Sequence, residues 1–336
     1  MTEDPKIEGP NGDRRPFRSI LAVCDLGPGN AVTLKLATEL ARAAGARLTV
    51  LAVAELTPDI ERLARFASAA PEEVEARLVA EQRAQVSSLL EDVAEGLAVE
   101  VEIRKGKPFL EIIRQVLARG HDLVVKTAEE LHGLHRFLFS STDQHLLRKC
   151  PCPVWLRLSG SRRPARAILA AVDVDHLAAS EPETQAALNR RIIETAAGIA
   201  AFEGAELHVL HVWDAPAESL VRRWATREDD VMRYLRDVEA EHGRALDSLI
   251  EGARASLGAA AAPGLGLVSH LERGVPRSVI PAQVHQLGAD VLVMGTIART
   301  GVPGFIIGNT AEDVLNSIDC SVVTVKPPGY VSPVRP

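Results

Sequence analysis

The 336-residue chain is predicted to be an α/β protein made of two tandem five-stranded domains, each a doubly wound parallel sheet. Three observations carry this prediction. Short aliphatic runs alternate with stretches of helical apolar periodicity, the pattern of buried parallel strands covered by helices. That pattern occurs twice: shifted by 168 positions, Lys105 to Trp155 lies on Arg273 to Val323 without a gap. Gly106 then meets Gly274, Pro108 meets Pro276, Asp122 meets Asp290, Phe137 meets Phe305, Thr142 meets Thr310 and Cys152 meets Cys320. Between the copies, Gly and Pro punctuate the segment SGSRRPA, which reads as a linker between two apolar strands.

Taken in order, residues 1–16 (MTEDPKIEGPNGDRRP) read as a disordered tail without the apolar stretch of a signal peptide. The first domain is expected over 17–158, with strands at Ile20 to Cys24, Leu48 to Val53, Val99 to Ile103, Leu123 to Lys126 and Val154 to Leu158. Helices fall between them. One begins near Asn30, a long one follows Pro71, one follows Pro108, where proline costs nothing at a helix start, and a short one begins near Thr142. The linker is placed at 159–164, the second domain at 165–328 and a tail at 329–336. ILAVCD ending at Asp25 matches ILAAVD ending at Asp173, and GARLTVLAV matches GAELHVLHV. A charged helix is expected from Arg222 to Gly252, with room for a lid over a pocket.

Composition narrows the function. A formal charge of −7 repels a phosphate backbone, and 4% aromatic residues leave little for base stacking, so nucleic acid is excluded as partner. No run of about 18 apolar residues occurs, so no membrane span is expected. Four cysteines give no disulfide framework, and a reducing cytoplasmic setting follows. The enzyme motifs GxxxxGK[ST], GxSxG, HExxH and a GxGxxG after the first strand are missing, so no catalytic residue is assigned.

Doubly wound sheets bind ligands outside the carboxyl ends of their strands. There the second copy reads VLVMGTIARTGVPGFIIGNTAEDVL, a Gly-containing turn followed by a helix that Asn309 or Thr310 is placed to cap. Backbone N–H groups in such a turn form an anion site; equally, glycines there allow tight turns and nothing more. Cys150 and Cys152 with His132, His135 and His145 carry zinc-type donors, yet Cys152 has its twin in Cys320 and reads as packing; no metal is assigned. His208 and His211 are expected to share one face of their strand as core or rim residues, with His211 near its carboxyl end.

The loop resembles that of the universal stress protein family: glycine, two residues, glycine, nine residues, then glycine and a hydroxyl residue. Gly295 and Gly308 match, and the strand-end Asp25 and Asp173 and the GxP pairs Gly106/Pro108 and Gly274/Pro276 extend the resemblance to both halves. Among tandem members it looks closest to the UspE type through HDLVVK (121–126), TDQHLLRKCPCPVW (142–155) and GNTAE (308–312). The resemblance implies a Rossmann-like fold, a cytoplasmic regulatory or ligand-sensing role rather than catalysis, and ATP as cofactor in the second half. Asp173, Gly295, Ala298, Arg299, Gly308, Asn309 and Thr310 would line that site. Ala298 and Asn309 depart from the pattern and weaken it. In the first half Thr127, Glu130, Ser140 and Ser141 replace the motif, so no nucleotide is expected there. The alternative partner is a non-nucleotide, apolar or lipid-like small molecule. The family also implies that the halves pair within the chain through Val154 to Leu158 and Val322 to Val325.

Overall fold

A computed structural model of the chain describes residues 17–27, 29–55, 60–128, 139–175, 181–257, 266–296 and 308–335. The first half runs β1 (Ser19–Val23), α1 (Asn30–Ala44), β2 (Arg47–Ala54), α2 (Ile60–Phe66), α3 (Pro71–Glu91), β3 (Val99–Lys105), α4 (Pro108–Arg119), β4 (Leu123–Thr127), α5 (Ser141–Lys149) and β5 (Val154–Arg157). The second repeats it: β6 (Ala167–Val172), α6 (Pro182–Glu203), β7 (Glu206–Trp213), α7 (Glu218–Trp224), α8 (Glu228–Leu257), β8 (Leu267–Arg273), α9 (Pro276–Leu287), β9 (Val291–Gly295), α10 (Asn309–Leu315) and β10 (Ser321–Val325). The expected tail at 1–16 lies outside the described residues.

All these strands join one sheet in the order β3-β2-β1-β4-β5-β10-β9-β6-β7-β8. Within each half every pairing is parallel, because a helix returns the chain to the starting edge each time. The halves meet in the antiparallel ladder β5–β10, with Val322 opposite Leu156, Val323 opposite Trp155 and Thr324 opposite Val154. Two edges that would otherwise invite foreign strands are thereby covered. Two apolar layers flank the sheet and both cross the junction. One gathers Leu34, Val50 and Val86 with Ile193, Val209 and Leu246. The other gathers Ile112, Leu146 and Leu156 with Val284, Leu292 and Val314.

Two features differ from expectation. The charged helix from Arg222 to Gly252 is broken: α7 ends at Trp224, Ala225 is extended, and α8 starts at Glu228. Three carboxylates, Glu228, Asp229 and Asp230, favour a new N-terminus there through the helix dipole. Helix α8 is core rather than lid, since Val231 and Leu235 pack on Trp213 while Leu246 and Ile250 join the main layer. The short α2, ending in an exposed Phe66, has no counterpart among the expected helices. The last residues dock on the first half, where the Tyr330 hydroxyl donates to the Arg148 carbonyl at 2.9 Å.

Candidate functional site

Each half has a point where strand order reverses and neighbouring connections leave in opposite directions: between β1 and β4, and between β6 and β9. In the first half this crevice is filled. Lys126, fully buried at the end of β4, places Nζ 3.2 Å from Asp25 and 3.1 Å from Asp143, and donates to the Thr127 carbonyl at 2.8 Å. A buried ammonium requires such partners. Burial works to raise the Asp25 pKa, but Lys126, Asn30 and the Gly27 N–H outweigh it and hold the carboxyl below its ordinary value. The β1–α1 turn closes over the top. Gly29 has φ 88°, and a Cβ there would meet Ser159 at 3.1 Å and Thr127 at 3.2 Å, so only glycine permits that approach. Ser140 caps α5 by accepting the Asp143 N–H at 3.2 Å.

The second half is built from different residues. Lys126 is replaced by Met294, Asp143 by Ala311 and Ser140 by Gly308 in the repeat alignment. The strand-end turn itself is retained. Asp173 accepts the Asp175 N–H at 3.3 Å, and Asn189 bridges the Asp173 N–H and carbonyl at 3.1 and 2.6 Å, as Asn30 bridges the Asp25 N–H and the Gly27 carbonyl. Gly308 takes φ −60° and ψ 140° as N-cap of α10, and among the described residues no side chain caps that helix. Neither Asn309 nor Thr310 is the cap; both lie exposed in its first turn. Gly295 serves packing: a Cβ there would meet Leu188 Cδ2 at 2.9 Å and Ile192 Cδ1 at 3.6 Å, where α6 crosses the end of β9. Ala298 and Arg299 lie outside the described residues, as do Glu130, His132 and His135.

The expected shared face of His208 and His211 is corrected. Three residues apart on a strand, they point to opposite faces. His208 Nδ1 lies 3.0 Å from His270 Nε2 on β8, while His211 Nε2 lies 2.9 Å from His242 Nδ1 on α8. Burial, the largest influence on His211, lowers its pKa. A cavity of about 400 Å³ opens at the other end of the first half, the amino ends of β1 to β3, beside Ser19, Arg47, Glu100 and His121. No helix among the described residues is long and apolar enough to cross a membrane.

A parallel α/β repeat with ligand crevices at its strand ends, duplicated and joined through its last strands, is the architecture of a tandem universal stress protein. The universal stress protein family model matches residues 16–156 and again 165–326, and the chain belongs to that family. It is 32% identical over 244 residues to Universal stress protein E of Escherichia coli K12, covering 71% of this chain and 72% of that one. A Pseudomonas aeruginosa protein of unknown function superposes with a TM-score of 0.61 at 26% identity, covering 94% of both chains. A universal stress protein of Archaeoglobus fulgidus shares the fold, with a TM-score of 0.58 at 20% identity over 92% of this chain and 98% of that one.

Proposed function

We propose that the protein is a cytoplasmic stress-response sensor in which only the second half takes a small ligand, an adenine nucleotide such as ATP. The observation that carries this reading is the contrast at α5 and α10. In the first half Ser140 occupies the helix N-terminus and Lys126, with two carboxylates, fills the crevice beside it. In the second half Gly308 leaves the corresponding N-terminus without a side-chain cap, and of the three charged groups of the first crevice the repeat alignment keeps only the strand-end carboxylate, Asp173. Uncapped N–H groups at a helix start favour an anion, and phosphate is the anion that such a turn fits. In this reading Gly308, Asn309 and Thr310 receive phosphate oxygens, Asp173 and Gly295 border the nucleoside, and Ala298 and Arg299, outside the described residues, belong to the same set. The role is regulatory: binding alters a surface rather than turning over a substrate.

Calorimetric titration of the full chain with ATP tests the assignment. Gly308→Asp is expected to abolish binding, because its carboxylate repels phosphate at the helix start. Ser140→Asp is expected to leave binding unchanged. Equal losses from both substitutions would refute a site confined to the second half, and an extractable lipid in the purified protein would favour the apolar alternative.

A further inference from the structure

The turn between α5 and β5 carries Cys150, Pro151 and Cys152, and both cysteines are buried at the junction of the halves. Their Sγ atoms lie 3.6 Å apart, within S–H···S contact. In the repeat, Cys152 corresponds to Cys320 but Cys150 corresponds to Ile318, so the dithiol exists in the first half alone. Packing at this turn therefore needs no second sulfur. Directly before it, the Leu147 carbonyl accepts a 2.5 Å hydrogen bond from Lys326 Nζ, and Lys326 also donates to the Thr296 hydroxyl. Lys326 is buried with no carboxylate within ion-pair distance among the described residues. We infer that Cys150 and Cys152 form a reactive dithiol, a modification site at which hydroperoxides make an intramolecular disulfide under the influence of Lys326.

The two sulfurs are unequal. Burial acts against a Cys150 thiolate, but the S–H and backbone N–H of Cys152, with a smaller help from the charge of Lys326, outweigh it and bring its pKa down. The same hydrogen bond, with burial, pushes the Cys152 thiol well up. Cys150 is thus the attacking sulfur and Cys152 the resolving one. The Cys150 thiolate attacks one oxygen of hydrogen peroxide, the O–O bond breaks, and hydroxide leaves, giving Cys150 sulfenic acid. The Cys152 S–H proton converts that hydroxide to water. The Cys152 thiolate then attacks the sulfenic sulfur, the S–S bond forms and the S–O bond breaks. The leaving hydroxide is protonated from the medium, giving the second water. Two thiols have been oxidised and one peroxide reduced. An 11-membered Cys-Pro-Cys ring is strained, so cellular dithiols reduce it readily. Because Leu147 and Arg148 receive Lys326 and Tyr330, closing the ring pulls on the contact between the halves.

The test treats folded full-length protein with hydrogen peroxide, alkylates it in denaturant and maps the peptides by mass. The expected product has a 150–152 disulfide, with Cys24 and Cys320 alkylated, and dithiothreitol restores all four thiols. Cys152→Ser should give a dimedone-trapped sulfenic acid at Cys150, whereas Cys150→Ser should give none at Cys152. Lys326→Met should slow oxidation severalfold, because the Cys150 thiolate loses a neighbouring positive charge. Four alkylatable thiols after peroxide would overturn the proposal. So would a sulfenic acid at Cys152, or an unchanged rate in Lys326→Met.

Discussion

The two halves share one backbone plan and solve the same strand-end problem in opposite ways. At the β1/β4 reversal an ammonium sits among two carboxylates, the following helix is capped by its own serine, and Gly29 lets a turn close over the crevice. At the β6/β9 reversal methionine and alanine stand in place of Lys126 and Asp143 while Asp173 keeps the strand-end carboxylate, and α10 begins at a glycine with no side-chain cap. The comparison teaches that loss of the glycine loop in the first half is not a passive decay. Polar groups have replaced the space, and each depends on the others to justify its burial.

The sharpest way to break the comparison is to remove the central ion. Lys126→Met leaves Asp143 buried with its cationic partner gone, and is expected to cost about 3–5 kcal/mol in urea denaturation. The double variant Lys126→Met/Asp143→Ala installs the residues of the second half, Met294 and Ala311. It is expected to recover to within about 1.5 kcal/mol of the parent, because the buried carboxylate is removed together with the ammonium. A double variant as unstable as the single one would show that the ion cluster is not what fills the site.

Lys326 offers a second test, since it is a buried lysine outside that cluster. Burial pushes its pKa down to about 7 from 10.5. Between those values the unfolded chain holds a proton that the folded chain has released, so folding stability contributed by this group rises with pH. Below about 7 the full cost of the buried ammonium is present. Stability of the parent measured against Lys326→Met is therefore expected to climb from pH 7 to 10 and to be flat below 7. A flat difference across the whole range would mean that the amine is solvated or paired.

Much of the fold was legible because aliphatic runs have few uses other than buried parallel strands, and because the repeat let each half check the other. The five strands of the first half, and the last strand of the second, begin and end within two residues of those expected. Features decided by distant partners were less legible. Lys126 reads in sequence as the end of HDLVVK; its carboxylates come from positions 25 and 143, and only folding brings them together. One signal was present: a lysine in an aliphatic strand whose repeat counterpart is Met294 must be buried, and a buried lysine must be paired. The break before Glu228 was also signalled, by three consecutive carboxylates at a helix start. The histidine faces needed only the parity of their spacing.

Gly295 carries a smaller effect that separates packing from ligand binding. Gly295→Ala places a Cβ 2.9 Å from Leu188 Cδ2, and is expected to cost about 1–3 kcal/mol of stability in the absence of any ligand, the usual range for overpacking. The side chain at the equivalent position in the first half, Thr127, instead pairs its hydroxyl with Thr33 at 2.7 Å. Helix α1 thus leaves room at the end of β4 that α6 does not leave at the end of β9. An alanine variant with unchanged stability and reduced ATP affinity would move this glycine from packing to recognition.

The smallest expected effect comes from giving the second half the cap of the first. Gly308 has φ −60° and ψ 140°, close to the −59° and 165° of Ser140, so serine fits the backbone at 308 without strain. By analogy with Ser140, its hydroxyl would accept the Ala311 N–H and stabilise α10 by about 0.5–1 kcal/mol, read as a rise in thermal midpoint. The same hydroxyl would take an N–H that the proposed phosphate uses. Gly308→Ser is therefore expected to fold more stably and bind ATP more weakly, the two changes running in opposite directions. A variant that gains stability and keeps full affinity would show that the phosphate, where it binds, does not use the start of α10, and the contrast between the two helix starts would then be structural alone.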